Sequence, residues 1–297
     1  VPRTCKLNNK AVANALEQRL TNLREQAEPA RRGDVDGIHD LRVASRRLRA
    51  ALAQCAPLLS NRAVKPFRQE VRAITKLLGR PRELDVMLGL LAEFREHSPE
   101  QDPDALNHAS DVLQARRKDI EAYCARAADI AESNGFTQNF EAALASMKPA
   151  GRRHVGLVET SLSGAFSDLR RAHKSWRKSH ADGALHRIRI VFKKFRYACE
   201  LYEPLYGEAM TGFIAALKSM QERLGAWNDW RVLRDEIEGI AQTAPEGLCE
   251  ALHRLAAAFD QKANAEREAF TEESAAFFAK DSRKNVQQLI HTPAHLK

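Results

Sequence analysis

The densest chemistry in this sequence lies in two short runs, one from His39 to Arg49 and one from His186 to Arg196. On a helix at about 100° per residue, His39, Arg42, Arg46 and Arg49 share an arc of about 80°, with Leu41, Leu48 and Leu52 on the opposite side. His186, Arg189, Lys193 and Arg196 repeat that arc, with Ile188, Phe195 and Cys199 opposite. Each run is therefore a helix with one cationic face and one core face. The second run starts 147 residues after the first, which reads as an internal duplication.

A cationic stripe of this kind suits phosphate. The planar guanidinium holds two phosphate oxygens at once, while lysine supplies a flexible point charge. Positions 39 to 49 advance about 15 Å along a helix, so the residues form a ladder for a linear polyanion rather than a pocket for one anion. Arg47 and Lys194 flank the two stripes. A further stripe, Lys65, Arg68, Arg72 and Lys76, stands opposite Phe67, Val71, Ile74 and Leu78. Arg80 and Arg82 fall where the next helix begins and its free N–H groups favour an anion. Tyr197 offers a hydroxyl beside Arg196, whereas Trp176, Trp227 and Trp230 read as packing. Glu83 and Asp85 read as carboxylates that orient arginines.

The elements that must position these residues follow from periodicity and punctuation. Helices are expected over 8–27, 36–57, 62–78, 82–97 and 103–133, with Asp36-Gly37 capping the second and Pro57 stopping it. Gly79 ends the third, and Pro81 suits the first turn of the fourth. After a break at Pro149 and Gly151 and a basic loop, Arg152-Arg153-His154, helices near 155–178, 182–203, 208–224, 228–243 and 247–282 repeat the order. Leu224-Gly225 echoes Leu78-Gly79. Nothing alternates with the period of a strand. The expected fold is all-α: two related antiparallel helical bundles, 1–150 and 151–297, making one domain.

Composition bounds the partners. The 297-residue chain has a formal charge of +8, but residues 39–82 hold eleven Lys and Arg against two acids, and residues 170–197 hold ten against one. The remainder is net acidic. Concentrated cation on an acidic body is the footprint of a polyanion ligand. The five cysteines show no CxxC pair and no metal-type spacing, as expected of reduced core thiols in a cytoplasmic protein. No apolar run reaches the ~18 residues of a membrane span, and the start at Val1 lacks a signal-peptide hydrophobic segment.

Catalytic signatures are missing. There is no GxxxxGK[ST], HExxH or GxSxG, and no carboxylate cluster to hold Mg²⁺ for phosphoryl transfer. Two histidines among arginines would repel a dication, so neither a metal nor a cofactor is expected. The stripes lack interleaved aromatic residues for base stacking, which sets nucleic acid behind a simpler polyanion.

The two histidine-headed stripes, each followed some forty residues later by Leu-Gly and then by Arg82-Glu83-Leu84-Asp85-Val86 or Asn228-Asp229, resemble the CHAD family, the conserved histidine α-helical domains. The resemblance covers almost the whole chain. It implies two bundles about a pseudo-twofold axis, with the basic helices meeting at a central groove or pore. It further implies binding of inorganic polyphosphate without catalysis, residence on polyphosphate granules, and a fused or partner enzyme of polyphosphate metabolism. The alternatives are other polyanions, nucleic acid, or an accessory role beside a phosphate-ester enzyme. The family's basic residues fall on His39, Arg42, Arg46, Arg47, Arg49, His186, Arg189, Lys193, Lys194 and Arg196, with Arg72 and Lys218 aligned by position. Ile214 and Glu222 stand where Arg68 and Lys76 lie in the first half. Cationic neighbours should hold a stripe-heading histidine below its ordinary pKa, and a bound polyanion should raise it again.

Overall fold

The computed structural model describes residues 9–98, 102–148 and 156–292. Among these the protein is all-helical, with thirteen α-helices and no strand. None of the helices is long and apolar enough to cross a membrane. The break at Pro149 and Gly151 and the Arg152-Arg153-His154 loop lie outside the described residues, as does Cys5. The other four cysteines are free, and burial pushes the Cys55 thiol up to about 11.

Helix α1 (Asn9–Glu25) packs on α3 (Val35–Gln54), the first stripe helix, and the short α2 (Ala27–Arg31) lies across the start of α3. The cap of α3 is Asp34 rather than Asp36, because its carboxylate reaches the third N–H of the helix and accepts from Gly37 N at 2.6 Å. Asp36 instead sits in the first turn, where a negative charge complements the helix dipole. Gly37 also lets α2 approach: a Cβ there would stand 2.5 Å from that of Pro29. The cationic and apolar faces separate as expected, with Leu41, Leu48 and Leu52 fully buried.

The second stripe helix, α10 (Asp182–Tyr202), packs on α9 (Leu157–Ser179) and directly against α3. Ile188, Phe195 and Cys199 are fully buried. Each stripe helix is followed by a 3-10 turn, Ala56–Leu58 or Glu203–Leu205, containing Pro57 or Pro204.

The two halves then diverge. α4 (Asn61–Leu77) and α5 (Gly79–His97) are separate, whereas the helices expected at 208–224 and 228–243 are one, α11 (Glu208–Ala241). Proline marks the difference: Pro81 has no N–H for the Leu77 carbonyl and its ring crowds it, which favours a break there between α4 and α5. Trp227 stands at the matching position with its N–H intact, and Gly225 alone costs a helix only about 1 kcal/mol.

The helix expected over 103–133 is likewise two, α6 (Pro103–Asp119) and α7 (Ala122–Glu132), because they serve different neighbours: α6 packs on α5, and α7 on α2 and α4. α8 (Asn134–Ala145) was not anticipated; its Phe136 and Phe140 rings lie 4.8 and 5.2 Å from Phe67. α12 (Glu246–Phe277) ends earlier than expected, and α13 (Lys280–His291) follows it. α12 pairs extensively with α11, and one apolar cluster runs through both halves. The three tryptophans are buried, as their reading as packing required.

Candidate functional site

Contact between α3 and α10 brings the two stripes face to face, and α5 and α11 supply the remaining walls of a cavity of about 500 Å³. From the first half it receives His39, Arg42, Arg46, Arg82 and Glu83, and from the second His186, Arg189, Lys193, Asn228, Asp229 and Arg231. Val43, Val86, Met87, Val232 and Gly79 complete the lining.

Several of these side chains are held from behind. Arg42 Nη1 donates to the Thr75 carbonyl at 3.1 Å, and Thr75 in turn meets the buried Ser45 hydroxyl at 3.0 Å. Arg189 lies 3.7 Å from Asp229, and His186 Nδ1 is 3.2 Å from the Asn228 side-chain oxygen. Arg46 stands 5.8 Å over the Tyr197 ring and Arg231 5.6 Å over Trp227, so aromatic faces support two of the cations.

The cluster is electrostatically strained. Burial, then the charges of Arg189 and Arg46, bring the Lys193 ammonium down to about 6, against which Asp229 is a smaller opposing influence. Arg42 and Arg189 are also lowered, first by burial and then, among the cations, by Arg46. His39 is lowered as expected, though partial burial outweighs the nearby Arg82 as the cause. The Lys193 ammonium is thus poised to titrate near neutrality, and an anion in the cavity would favour its charged form.

The remaining sequence candidates spread outward. Arg49 lies at the end of its stripe with its side chain only partly covered, and that partial burial, then the charges of Arg72 and Arg46, lower it too. Lys65, Arg68 and Arg72 line a separate surface depression on α4, where Arg68 Nη2 is tied to the Leu52 carbonyl at 3.0 Å. Lys76 and Lys194 are exposed.

Others are engaged elsewhere. Arg196 is buried and bonded to Gln221 and Glu200, with its charge 5.1 Å over Tyr197. Arg47 shares that Glu200 at 3.2 Å. Arg80 meets Glu83 at 3.3 Å and Glu236 at 2.7 Å, and Lys218 meets Glu222 at 3.8 Å. Tyr197 is buried outside the cavity lining, so it serves as a platform for cations rather than as a hydroxyl donor. Asp85 pairs with Arg117 at 2.7 Å, consistent with an orienting role.

Arg231 is the cavity cation that the sequence reading missed. Its signal was Asn228 three residues before it, which places both on one helix face. Among the described residues, no three His, Cys, Asp or Glu side chains gather where they could hold a metal ion.

Two solved structures share this fold. The CHAD domain from the plant Ricinus communis superposes with a TM-score of 0.63 at 20% identity, covering 98% of this chain and 95% of that one. PptA from Streptomyces chartreusis superposes with a TM-score of 0.65 at 18% identity, covering 93% of this chain and 100% of that one. No curated protein matches the sequence. The CHAD domain family matches over residues 14–238, a span that takes in both stripes and every wall of the cavity. On that match the chain belongs to the CHAD domain family.

Proposed function

We propose that this protein binds inorganic polyphosphate, without transforming it, in the cavity between the α3 and α10 stripes. The observation that carries this reading is the convergence of both stripes, written far apart in the sequence, on one cavity. Six Arg and Lys side chains and two histidines meet there against two carboxylates. Both carboxylates lie near arginines, Asp229 by Arg189 and Glu83 by Arg80. A surplus of fixed cations with a few orienting acids is what a linear polyanion requires of a receptor. Membership of a family linked to polyphosphate supports the same conclusion.

The chain is read as one domain built from duplicated halves, 1–150 and 151–297, about a pseudo-twofold axis. The recurring stripe, the recurring proline turn and the parallel pairings α1 with α3 and α9 with α10 support that reading. The binding residues are the cavity cations and histidines, with Arg49 and the α4 stripe of Lys65, Arg68, Arg72 and Lys76 extending the path. A cytoplasmic location on polyphosphate granules, beside an enzyme of polyphosphate metabolism, would fit this function.

The test is competition against one labelled long-chain polyphosphate at physiological salt. Unlabelled polyphosphate should displace the label at far lower concentration than heparin, duplex DNA or ATP. Equal potency of ATP would overturn the reading.

A further inference from the structure

Beyond the cavity, the outer face between α9 and α10 carries a second concentration of cation that the stripes do not include. A shallow groove of about 510 Å³ runs there, with a floor of small residues, Ala172, Ser175, Gly183 and Ala184, with Arg171 and Arg187 on its opposite banks, and with Val191 and a single acid, Asp168, completing the lining. Lys174 and Lys178 fall near Arg171 at helical spacing, and both are exposed. Of these cations only Arg171 meets an acid, Asp168; among the described residues Lys174, Lys178 and Arg187 form no ion pair. A solvated surface would intersperse the two signs. Small side chains between cationic banks leave room for a chain to lie down, with no aromatic surface for a base to stack on.

The groove and the cavity lie on two faces of one helix, α10. Lys193 lines the cavity and Lys194, the next residue, is exposed. On α10, Arg187 and Lys194 stand almost in line, about 10 Å apart along the axis. Between them and the cavity face lie Ile190, 41% exposed, and the buried Tyr197. We infer that the α9–α10 groove is a second binding track, which takes the part of a long polyphosphate chain that leaves the cavity over α10. This rests on the cavity reading and adds to it a determinant of chain length: the cavity takes a short run of phosphates, and the groove rewards a long one.

The experiment compares three proteins by titration with tripolyphosphate, with long-chain polyphosphate and with duplex DNA: wild type, a groove variant (Lys174→Glu, Lys178→Glu, Arg187→Glu), and a control with the same charge change on α12 and α13 (Arg254→Glu, Lys280→Glu, Lys284→Glu). Circular dichroism verifies that all three fold. The groove variant should bind the long chain about tenfold more weakly, with its salt slope reduced by about two for three lost contacts. Its affinity for tripolyphosphate should stay at the level of the control. Unchanged long-chain binding would overturn the track, and so would a loss shared equally by tripolyphosphate or by the control, which would mark a general field effect. A loss confined to duplex DNA would make the groove a nucleic-acid face and overturn it too. Wild type that binds neither polyphosphate would instead remove the cavity reading beneath it.

Discussion

The Nδ1 of His186 lies 3.2 Å from Oδ1 of Asn228, whose Nδ2 is itself 3.2 Å from Asp229. The carboxylate fixes the amide: its nitrogen donates to Asp229, so its oxygen faces the ring and must accept from Nδ1–H. The other ring nitrogen of the neutral imidazole is then an acceptor, which repels phosphate oxygen. Nitrogen-15 spectra should show the Nδ1–H tautomer of this ring in the free protein. An Nε2–H tautomer in the free protein would contradict the assignment.

Affinity should depend on pH through Lys193 above all. The free ammonium titrates at about 6, and a polyanion beside it raises that value. Binding therefore takes up protons between the two values. Affinity is greatest below the free pKa, declines as pH rises through it, and levels off above the bound one. His39, lowered in the free protein, adds in the same direction. Calorimetry in buffers of differing ionisation enthalpy should register this uptake, and Lys193→Arg should flatten the profile by holding a permanent charge.

Charge reversal at Arg46 and Lys193 together should abolish polyphosphate binding. Each sits among like charges, so the variant also relieves repulsion in the empty cavity. Its helical circular-dichroism spectrum should persist, and its melting temperature should be no lower than that of wild type. A collapsed spectrum would assign these side chains to the fold rather than to the ligand.

Two glycines should respond in opposite senses to alanine. At Gly37 a Cβ would stand 2.5 Å from Pro29 Cβ and 2.7 Å from the Ala30 nitrogen, so Gly37→Ala must push α2 off α3, costing about 1–3 kcal/mol. At Gly225, inside α11, the new Cβ meets nothing within 4 Å, and Gly225→Ala should gain about 0.5–1 kcal/mol. Denaturant titration of the two variants reads both signs.

Acid should unsettle the α9 core through His173. His173 is buried and stacked 3.9 Å from the Phe278 ring, and burial with the nearby Arg177 brings it down to about 4. Its folded value lies below its unfolded value of about 6.5. The stability it confers is thus complete above 6.5 and lost progressively as pH falls toward 4. His173→Phe should make melting less sensitive to pH across that window.

The stripes were legible because a cationic face and an apolar face at helical spacing each have one interpretation, and the burial of Leu41, Leu48 and Ile188 follows it. Arg42 and Arg46 were placed by the same periodicity. Arg196 lay on the same arc as Arg189, yet it turns to Glu200, four residues on, and to Gln221 on α11. The first partner was visible in the sequence, but the second depends on how helices pack. Arg231 escaped notice for the converse reason: its helix position is ordinary, and only the approach of α11 to α3 and α10 gives it a role. The split of α6 from α7 carries no glycine or proline, and it arises from the neighbours each helix meets.

The unbroken α11 has one further consequence. Its 34 residues form a rod about 50 Å long, braced along α12, whereas the opposite wall is jointed at Leu78-Gly79, where α4 stops and α5 starts. Stiffness is therefore distributed unequally around the cavity. A cavity that widened would be expected to do so on the jointed side, at α5 with Arg82 and Glu83, rather than at Asn228, Asp229 and Arg231 on the braced rod.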